Sequence, residues 1–213
     1  MSIVYNTSIV RSGLVLHLDA ANVKSYPGSG TTWSDLSGKG NHGTLMNGVG
    51  YSSTNSGSMV FDGVDDYVVG NITTFTNPAP YTSITWALST NITPEQHLTN
   101  LKGSTQFYIK SGTLGTASYG AIAGGTVIAN TWYMFTQTRD SSGNGVIYIN
   151  DNSVGTGVLP SYGTATQYVI GNYVGGGNYF LNGKISASLV YNRVLTVQEI
   201  QQNFNALRGR YGI

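Results

Sequence analysis

The chain has 213 residues, a formal net charge of +1 and only 9% charged residues, and it contains no cysteine. A nearly neutral chain whose few lysines and arginines are scattered offers little attraction to a polyanion, so we expect no nucleic-acid partner. The lack of cysteine excludes disulfides and thiol-bound metals. No apolar run approaches the roughly 20 residues of a membrane-spanning helix, so we expect no membrane partner either.

Short strands joined by turns are predicted along most of the chain, after an N-terminal arm of residues 1–12. Alternation of apolar and polar residues is clearest around Trp86 and Trp132, and it predicts strands with one buried face. The predicted strands are Leu14–Leu18, Ser58–Phe61, Tyr67–Val69, Ser83–Leu88, Gln106–Ile109, Thr126–Ile128, Trp132–Thr138, Gly145–Ile149, Gln167–Ile170 and Lys184–Tyr191. This pattern indicates one all-β domain.

A hairpin is predicted between the strands that carry Trp132 and Tyr148. The segment between them, Asp140–Gly145, ends in Asn-Gly, a dipeptide that tolerates the positive φ angles of tight hairpin turns. These two strands should therefore pair in the antiparallel direction.

One short helix is predicted near the C-terminus. Thr196 and Glu199 have the spacing of a capping box, in which each side chain accepts a hydrogen bond from the backbone of the other. Apolar residues then follow at helical spacing and should form one buried face: Val197, Ile200, Phe204 and Leu207. We assign residues 13–207 to a single β-sandwich and residues 208–213 to a C-terminal tail.

Several segments together resemble the laminin-G-like domains of the concanavalin A-like lectin/glucanase family. The matching segments are Gly13–Asn22, Trp33–Gly43, Phe61–Val68, Val146–Asn150 and Asn182–Ile200. The resemblance implies an antiparallel concanavalin A-like β-sandwich, or jelly roll, with one short C-terminal helix. The sequence of residues 13–33 is also similar to that of such domains in particle proteins of tailed bacteriophages, including those of cyanobacteria.

The family includes glucanases, but this chain lacks their carboxylate motif. A retaining glycosidase needs two carboxyl groups about 5 Å apart, and the glucanase relatives carry them on one strand as Glu-x-Asp-x-x-Glu or a close variant. This chain has only Glu95, in a turn, and Glu199, in the predicted cap. The histidines stand apart in sequence, so we expect no enzymatic activity.

Two groups of oxygen-bearing side chains are candidate calcium ligands. Asp62, Asp65 and Asp66 cluster around a glycine, and Asp35 lies near Asn41 in a long turn. A hard cation takes several oxygens from a tight turn and its neighbours. The alternative is that these residues serve as turn formers, because aspartate commonly accepts backbone hydrogen bonds in turns. No other cofactor is expected.

Aromatic residues in turns are the candidates for contact with a sugar. Trp86 and Trp132 lie in alternating strands and are predicted to be core residues. Trp33 precedes a turn and should be the most exposed tryptophan, while Tyr173 and Tyr179 stand on either side of a glycine-rich loop. A glycan site would therefore use Trp33, Tyr173 and Tyr179.

The resemblance to phage proteins, with the missing catalytic set, predicts a non-enzymatic structural protein of the virion. Its role would be that of a capsid decoration protein on the particle surface, forming a homo-oligomer and contacting the major capsid protein or other virion proteins. The contacts would come from the arm, from the tail or from exposed strands. The alternative is a carbohydrate-binding, lectin-like module of a tail fibre or a cell-surface protein.

Overall fold

A computed structural model describes residues 8–75, 80–101, 106–116, 122–160, 165–173, 175 and 177–213. The strands are β1 (Leu14–Asp19), β2 (Thr32–Trp33), β3 (Gly43–Met46), β4 (Gly50–Ser52), β5 (Ser58–Asp62), β6 (Tyr67–Phe75), β7 (Tyr81–Ser89), β8 (Gln96–His97), β9 (Thr99–Leu101), β10 (Phe107–Lys110), β11 (Thr113–Thr116), β12 (Ile122–Thr126), β13 (Tyr133–Arg139), β14 (Asn144–Ile149), β15 (Asn152–Val158), β16 (Ala165–Ile170) and β17 (Asn182–Tyr191). The helix α1 spans Val197–Leu207, and short 3-10 turns occupy Thr54–Ser56 and Arg208–Arg210. In the part of the chain covered by these ranges, no helix is long and apolar enough to cross a membrane.

The strands form two layers. The back sheet has eight strands in the order β15-β14-β13-β7-β17-β5-β4, with β1 also paired to β17. The front layer consists of two half-sheets, ordered β2-β3-β6-β16-β9 and β8-β10-β11-β12. The strand pairs in these sheets are antiparallel. The predicted all-β antiparallel sandwich with one short C-terminal helix is confirmed.

The two halves of the front layer meet where β8 passes into β9. The backbone N–H of Leu98 donates to the carbonyl of Phe107 (2.9 Å), and the N–H of Phe107 donates to Oδ1 of Asn100 (2.8 Å). The Asn100 side chain therefore replaces a backbone acceptor at the junction. Its Nδ2 donates to the carbonyl of Asn172 (3.2 Å), which ties the loop after β16 to the same place.

The inner core fills the space between the two layers. It is mainly apolar, but a chain of hydroxyls crosses it: Oγ1 of Thr85 on β7 donates to Oγ1 of Thr99 on β9 (2.8 Å), which lies 2.9 Å from Oγ of Ser188 on β17. Hydroxyls buried between apolar layers need partners. This chain of hydrogen bonds satisfies them and fixes β9 against the back sheet.

A second apolar cluster covers the outer face of the back sheet. Tyr211 stacks on Trp86, with ring centroids 4.5 Å apart, and its ring also lies 4.7 Å from that of Trp132. Ile9 and Val10 are buried in the same cluster, and the N–H of Val10 donates to Oδ1 of Asn203 on α1 (2.8 Å). Residues 8–12 and 208–211 thus pack on the back sheet through Ile9, Val10 and Tyr211, and the assignment of an arm and a tail as segments of their own stays a prediction. Residues 1–7 of the predicted arm lie outside the described ranges.

The capping box of α1 is confirmed. The N–H of Glu199 donates to Oγ1 of Thr196 (3.3 Å), and the N–H of Thr196 donates to Oε2 of Glu199 (2.9 Å). The predicted buried face is wrong at Val197, which is 54% exposed. Asn203 is buried instead, because its Oδ1 also lies 3.3 Å from the hydroxyl of Tyr191 and accepts the hydrogen bond from Val10 described above.

The hairpin between β13 and β14 is confirmed, with Phe135 paired to Ile149 and Arg139 to Gly145. The turn differs from the prediction, because its positive φ (90°) falls on Gly143 rather than on Asn-Gly. The Asp140 carboxylate accepts from the N–H of Asn144 (2.8 Å) and so holds that residue in the strand. The predicted strand Thr126–Ile128 is wrong, since β12 ends at Thr126.

Candidate functional site

The three tryptophans are all buried. Trp33 is 0% exposed and belongs to the inner core, so the prediction that it is the exposed tryptophan is wrong and it offers no face to a sugar. The reason is the alternation within β2, which points Thr32 outwards and Trp33 inwards. The prediction that Trp86 and Trp132 are core residues is confirmed.

Tyr173 and Tyr179 do come together, on the outer side of the front layer. Their ring centroids are 6.1 Å apart at an interplanar angle of 79°. Both rings pack on the imidazole of His97, at 5.3 and 5.2 Å, and the ring of Tyr108 lies 5.7 Å from it. We call this aromatic cluster the tyrosine face; His97 and Tyr108 are buried at its base, and Tyr173 and Tyr179 reach the surface. Tyr179 is its most exposed ring, at 37%.

Strand register places His97 and Tyr108 side by side. Tyr108 on β10 pairs with His97 on β8 and with Gly115 on β11, and directly paired residues share one side of a sheet. A Cβ atom at Gly115 would lie 2.5 Å from the Tyr108 ring. Gly115 therefore gives the ring the room to lie across the neighbouring strand.

The loop after β16 brings the other two tyrosines over this row. The N–H of His97 donates to the carbonyl of Tyr179 (3.0 Å), and Asn100 holds the carbonyl of Asn172 as described above. Asn172 is itself buried, and its Oδ1 has no hydrogen-bond donor among the described residues. Hydrogen bonds therefore hold both ends of the loop at the tyrosine face. Among the described residues, the Asn172 Oδ1 acceptor is unused.

Two charged side chains border the tyrosine face. Oε1 of Glu95 lies 3.0 Å from Nε2 of His97, and Oε2 lies 3.1 Å from Nζ of Lys110. Burial lowers the pKa of His97, although Glu95 acts in the opposite direction. The charges of Glu95 and Lys110 compensate each other, so the face carries a polar but electrically balanced rim.

The acidic turn, Asp62–Asp66, joins β5 to β6. Carboxylate oxygens of Asp62, Asp65 and Asp66 lie within 4.8 Å of one another. Oδ1 of Asp62 accepts from the N–H of Val64 (2.8 Å), and Oδ2 of Asp66 accepts from the N–H of Asp62 (3.1 Å). Burial, with the charges of Asp62 and Asp65, raises the pKa of Asp66. The hydrogen bonds are those of turn formers, and calcium binding stays a prediction.

Asp35 and Asn41 are not part of the acidic turn. Oδ1 of Asp35 accepts from the N–H of His17 and of Ser37 (2.9 Å each), and Oδ2 accepts from the Ser37 hydroxyl (2.7 Å) and the Asn41 N–H (3.1 Å). Nδ2 of Asn41 donates to the carbonyl of Val15 (2.8 Å). A carboxylate has about four acceptor positions, so Asp35 is fully engaged in shaping its turn.

A laminin G family model of the concanavalin A-like lectin/glucanases superfamily matches residues 61–201. The chain belongs to this superfamily. The matched segment contains the acidic turn, β8 to β10 and the loop with the two tyrosines. A search of curated protein sequences gave no match.

Solved structures share the fold of this lectin/glucanase domain at low sequence identity. The binding domain of Paraclostridial mosquitocidal protein 1 has a TM-score of 0.69 and 16% identity, over 92% of this chain and 52% of that one. A Trypanosoma rangeli sialidase mutant with trans-sialidase activity has a TM-score of 0.71 and 14% identity, over 97% of this chain and 35% of that one. The binding domain of botulinum neurotoxin DC in complex with SialylT has a TM-score of 0.68 and 15% identity, over 92% of this chain and 52% of that one. The chain thus spans about a third to a half of the length of these structures.

The glutamates of this superfamily member are both engaged in structural contacts. Both oxygens of Glu199 bind the guanidinium of Arg193, at 2.6 and 2.7 Å, and Glu95 is divided between His97 and Lys110. His17 and His42 also lie apart from the tyrosine face. His42 accepts the N–H of Asp35 (3.0 Å) and His17 is buried on β1. Sequence reasoning missed Glu95, His97 and Tyr108 as neighbours of the two tyrosines, because only strand register unites them.

Proposed function

We propose that this domain is a lectin-like, carbohydrate-binding module and that the sugar binds on the tyrosine face. The observation that carries the proposal is the pair of tyrosine rings at nearly a right angle, with Tyr179 partly exposed beside the Glu95–Lys110 pair. Aromatic rings offer a flat apolar surface to the C–H groups of a sugar, and a few charged or amide groups can bind its hydroxyls.

The front sheet extends this face beyond the tyrosines. Asn100 on β9 pairs with Val169 on β16, which pairs with Val69 on β6, and Val69 pairs with Thr44 on β3. Paired residues share one side of the sheet, so this row continues from the aromatic cluster across the front layer. Asn100 and Val169 are buried in this row, and Val69 and Thr44 are its accessible part.

The module is proposed to bind its sugar without cleaving it. Support comes from the engaged glutamates, which leave no pair of carboxylates free on one strand in the described part of the chain. Release of reducing ends from a panel of polysaccharides would contradict this part of the proposal.

Alanine substitution of Tyr179 tests the site. We expect Tyr179→Ala to weaken binding to the best ligand from a glycan array by at least about tenfold, measured by titration calorimetry, because each tenfold loss equals about 1.4 kcal/mol of contact energy. Tyr51→Ala is the matched control, since Tyr51 is 36% exposed and its tilted ring contacts Tyr26 on another part of the molecule. Equal affinities of the two variants would refute this site.

The assignment to a virion, with the major capsid protein as partner, stays a prediction. Electron cryo-microscopy of purified particles tests the prediction. Many copies on the shell would support it, and absence from particles would refute it.

A further inference from the structure

We propose that the tyrosine face selects uncharged sugars and that Glu95 is the residue that excludes acidic ones. This inference rests on the proposed function and names the class of ligand that the same site takes. Two observations support it: the Glu95 carboxylate is held in a fixed position, and the Lys110 ammonium beside it is already paired with that carboxylate.

Glu95 is held in place by two partners. One carboxylate oxygen lies against His97, which is fully buried, and the other against Lys110 on the adjacent part of β10. The Glu95 side chain is only 19% exposed. A ligand on the tyrosine rings would therefore meet a carboxylate that cannot rotate away without breaking the contact with His97.

Among the described residues, no second cation lies at the tyrosine face to receive an acidic sugar. Proteins usually bind a ligand carboxylate with an arginine fork or an unpaired lysine. Lys110 is the cation found at the tyrosine face among the described residues, and its ammonium already faces Glu95. Arginines with strong ion pairs lie elsewhere: Arg193 binds Glu199 and Arg210 binds Asp19.

Like charges brought together across a binding surface oppose association and give specificity by exclusion. The carboxylate of a sialic acid or a uronic acid would approach Glu95 and would have to compete with it for Lys110. A neutral sugar meets neither obstacle, and its hydroxyls can donate to Glu95 and accept from Lys110.

The test compares matched glycans that differ only in a carboxylate. A neutral oligosaccharide that binds on the array is titrated beside its sialylated or uronic acid form. We expect the neutral form to bind at least about tenfold more tightly. Its affinity should change little between low and high salt, because no net charge is neutralised on binding.

Two variants assign the selectivity to the charged pair. Glu95→Gln should reduce the ratio of neutral to acidic affinity by about tenfold, because it removes the repulsion and leaves Lys110 unpaired. Lys110→Gln should increase the ratio; the Lys110 side chain is 57% exposed, so this change should not impair folding. Asp151→Asn makes the same change of charge on the turn between β14 and β15, and it should leave the ratio unchanged.

The outcomes separate the two proposals. Acidic glycans that bind as tightly as their neutral counterparts would overturn the selectivity while leaving the glycan site in place. An unchanged ratio in both Glu95→Gln and Lys110→Gln would overturn the role of the pair. If no glycan of either kind binds, the proposed function fails and this inference fails with it.

Discussion

The ionisation of Asp66 opposes the fold. Its carboxyl group is buried in the acidic turn beside Asp62 and Asp65, and burial raises its pKa above the ordinary value of 3.8. The folded protein thus binds this proton more tightly than the unfolded chain does. The stability contributed by the protonated form is therefore lost as the pH rises from 3.8 through the raised pKa.

Replacing Asp66 by asparagine should raise stability at neutral pH. The amide oxygen of asparagine can still accept the N–H of Asp62, and the negative charge is gone. Thermal unfolding at neutral and mildly acidic pH checks this: the wild type should lose stability relative to Asp66→Asn as the pH rises. Asp151→Asn serves as the control. If the wild type were more stable than Asp66→Asn at neutral pH, the Asp66 charge would stabilise the folded protein.

The same pair of proteins tests the calcium prediction. A bound cation would offset the repulsion among the three carboxylates, and binding to the folded form alone raises its stability. If the prediction is right, millimolar calcium raises the melting temperature of the wild type and not that of Asp66→Asn. An identical response of both proteins would refute a calcium site that uses Asp66.

The positions of single residues were predicted well where neighbouring residues in the sequence indicate them. They were predicted poorly where burial in the fold determines whether a side chain is exposed. The glycine-rich loop pointed to Tyr173 and Tyr179, which the structure brings together. Trp33 was misjudged because its two-residue strand is formed only by pairing with β3. Nothing in the sequence links Glu95 to Tyr179, since they meet through strand register and a loop that crosses the sheet.

The capping box should contribute measurably to α1. Thr196→Ala removes the acceptor for the Glu199 N–H and should cost about 1 kcal/mol of unfolding free energy. Thr31→Ala, a change at an exposed threonine in the turn before β2, is the control in chemical denaturation. Equal stability of the two variants would mean that Arg193 and tertiary packing hold the helix start without the cap.

The contribution of Glu199 should depend on pH. Its hydrogen bonds with Arg193, and then the Thr196 backbone, lower its pKa from 4.5 to about 2. The stabilisation is therefore complete above pH 4.5 and is lost as the pH falls towards about 2. Glu199→Gln should be less stable than the wild type at neutral pH, and the difference should shrink in acid. A difference that stays constant with pH would contradict an ionic role.

At the scale of elements, the sequence was informative where a short segment determines its own structure. The helix and the β13–β14 hairpin carry cap and turn signals within a few residues. Strand β12 was misplaced because it contains Gly124 and Gly125, residues disfavoured in strands. A Cβ at Gly124 would overlap the carbonyl of Val154, so the packing of β12 against β15 requires glycine there. That glycine weakens the strand signal in the sequence.

At the scale of the whole molecule, the two sides of the sandwich have different roles. The tyrosine face lies on the front layer, while α1, residues 8–12 and residues 208–211 cover the back sheet. The inner core separates them. Mutations on the two sides share no partners, so their effects on stability and on binding should be independent.

Tyr211 provides the test of this separation. Its ring is buried against Trp86 and Trp132, so Tyr211→Ala should leave a cavity and cost about 3 kcal/mol of unfolding free energy. Ile213→Ala, at a residue that is 40% exposed beyond it, should cost little. Chemical denaturation followed by tryptophan fluorescence measures both, and equal stability would restore the view of residues 208–213 as a free tail.

The same variant should keep its affinity for the glycan under conditions where it remains folded, because Tyr211 packs on Trp86 and Trp132 on the outer face of the back sheet. Tyr179→Ala should show the reverse pattern, with weak binding and nearly unchanged stability, since its ring is partly exposed. Loss of glycan binding in folded Tyr211→Ala would mean that the two layers are coupled. The hydroxyl chain from Thr85 through Thr99 to Ser188 would then be the connection to examine, because it joins the back sheet to the strand that carries Asn100.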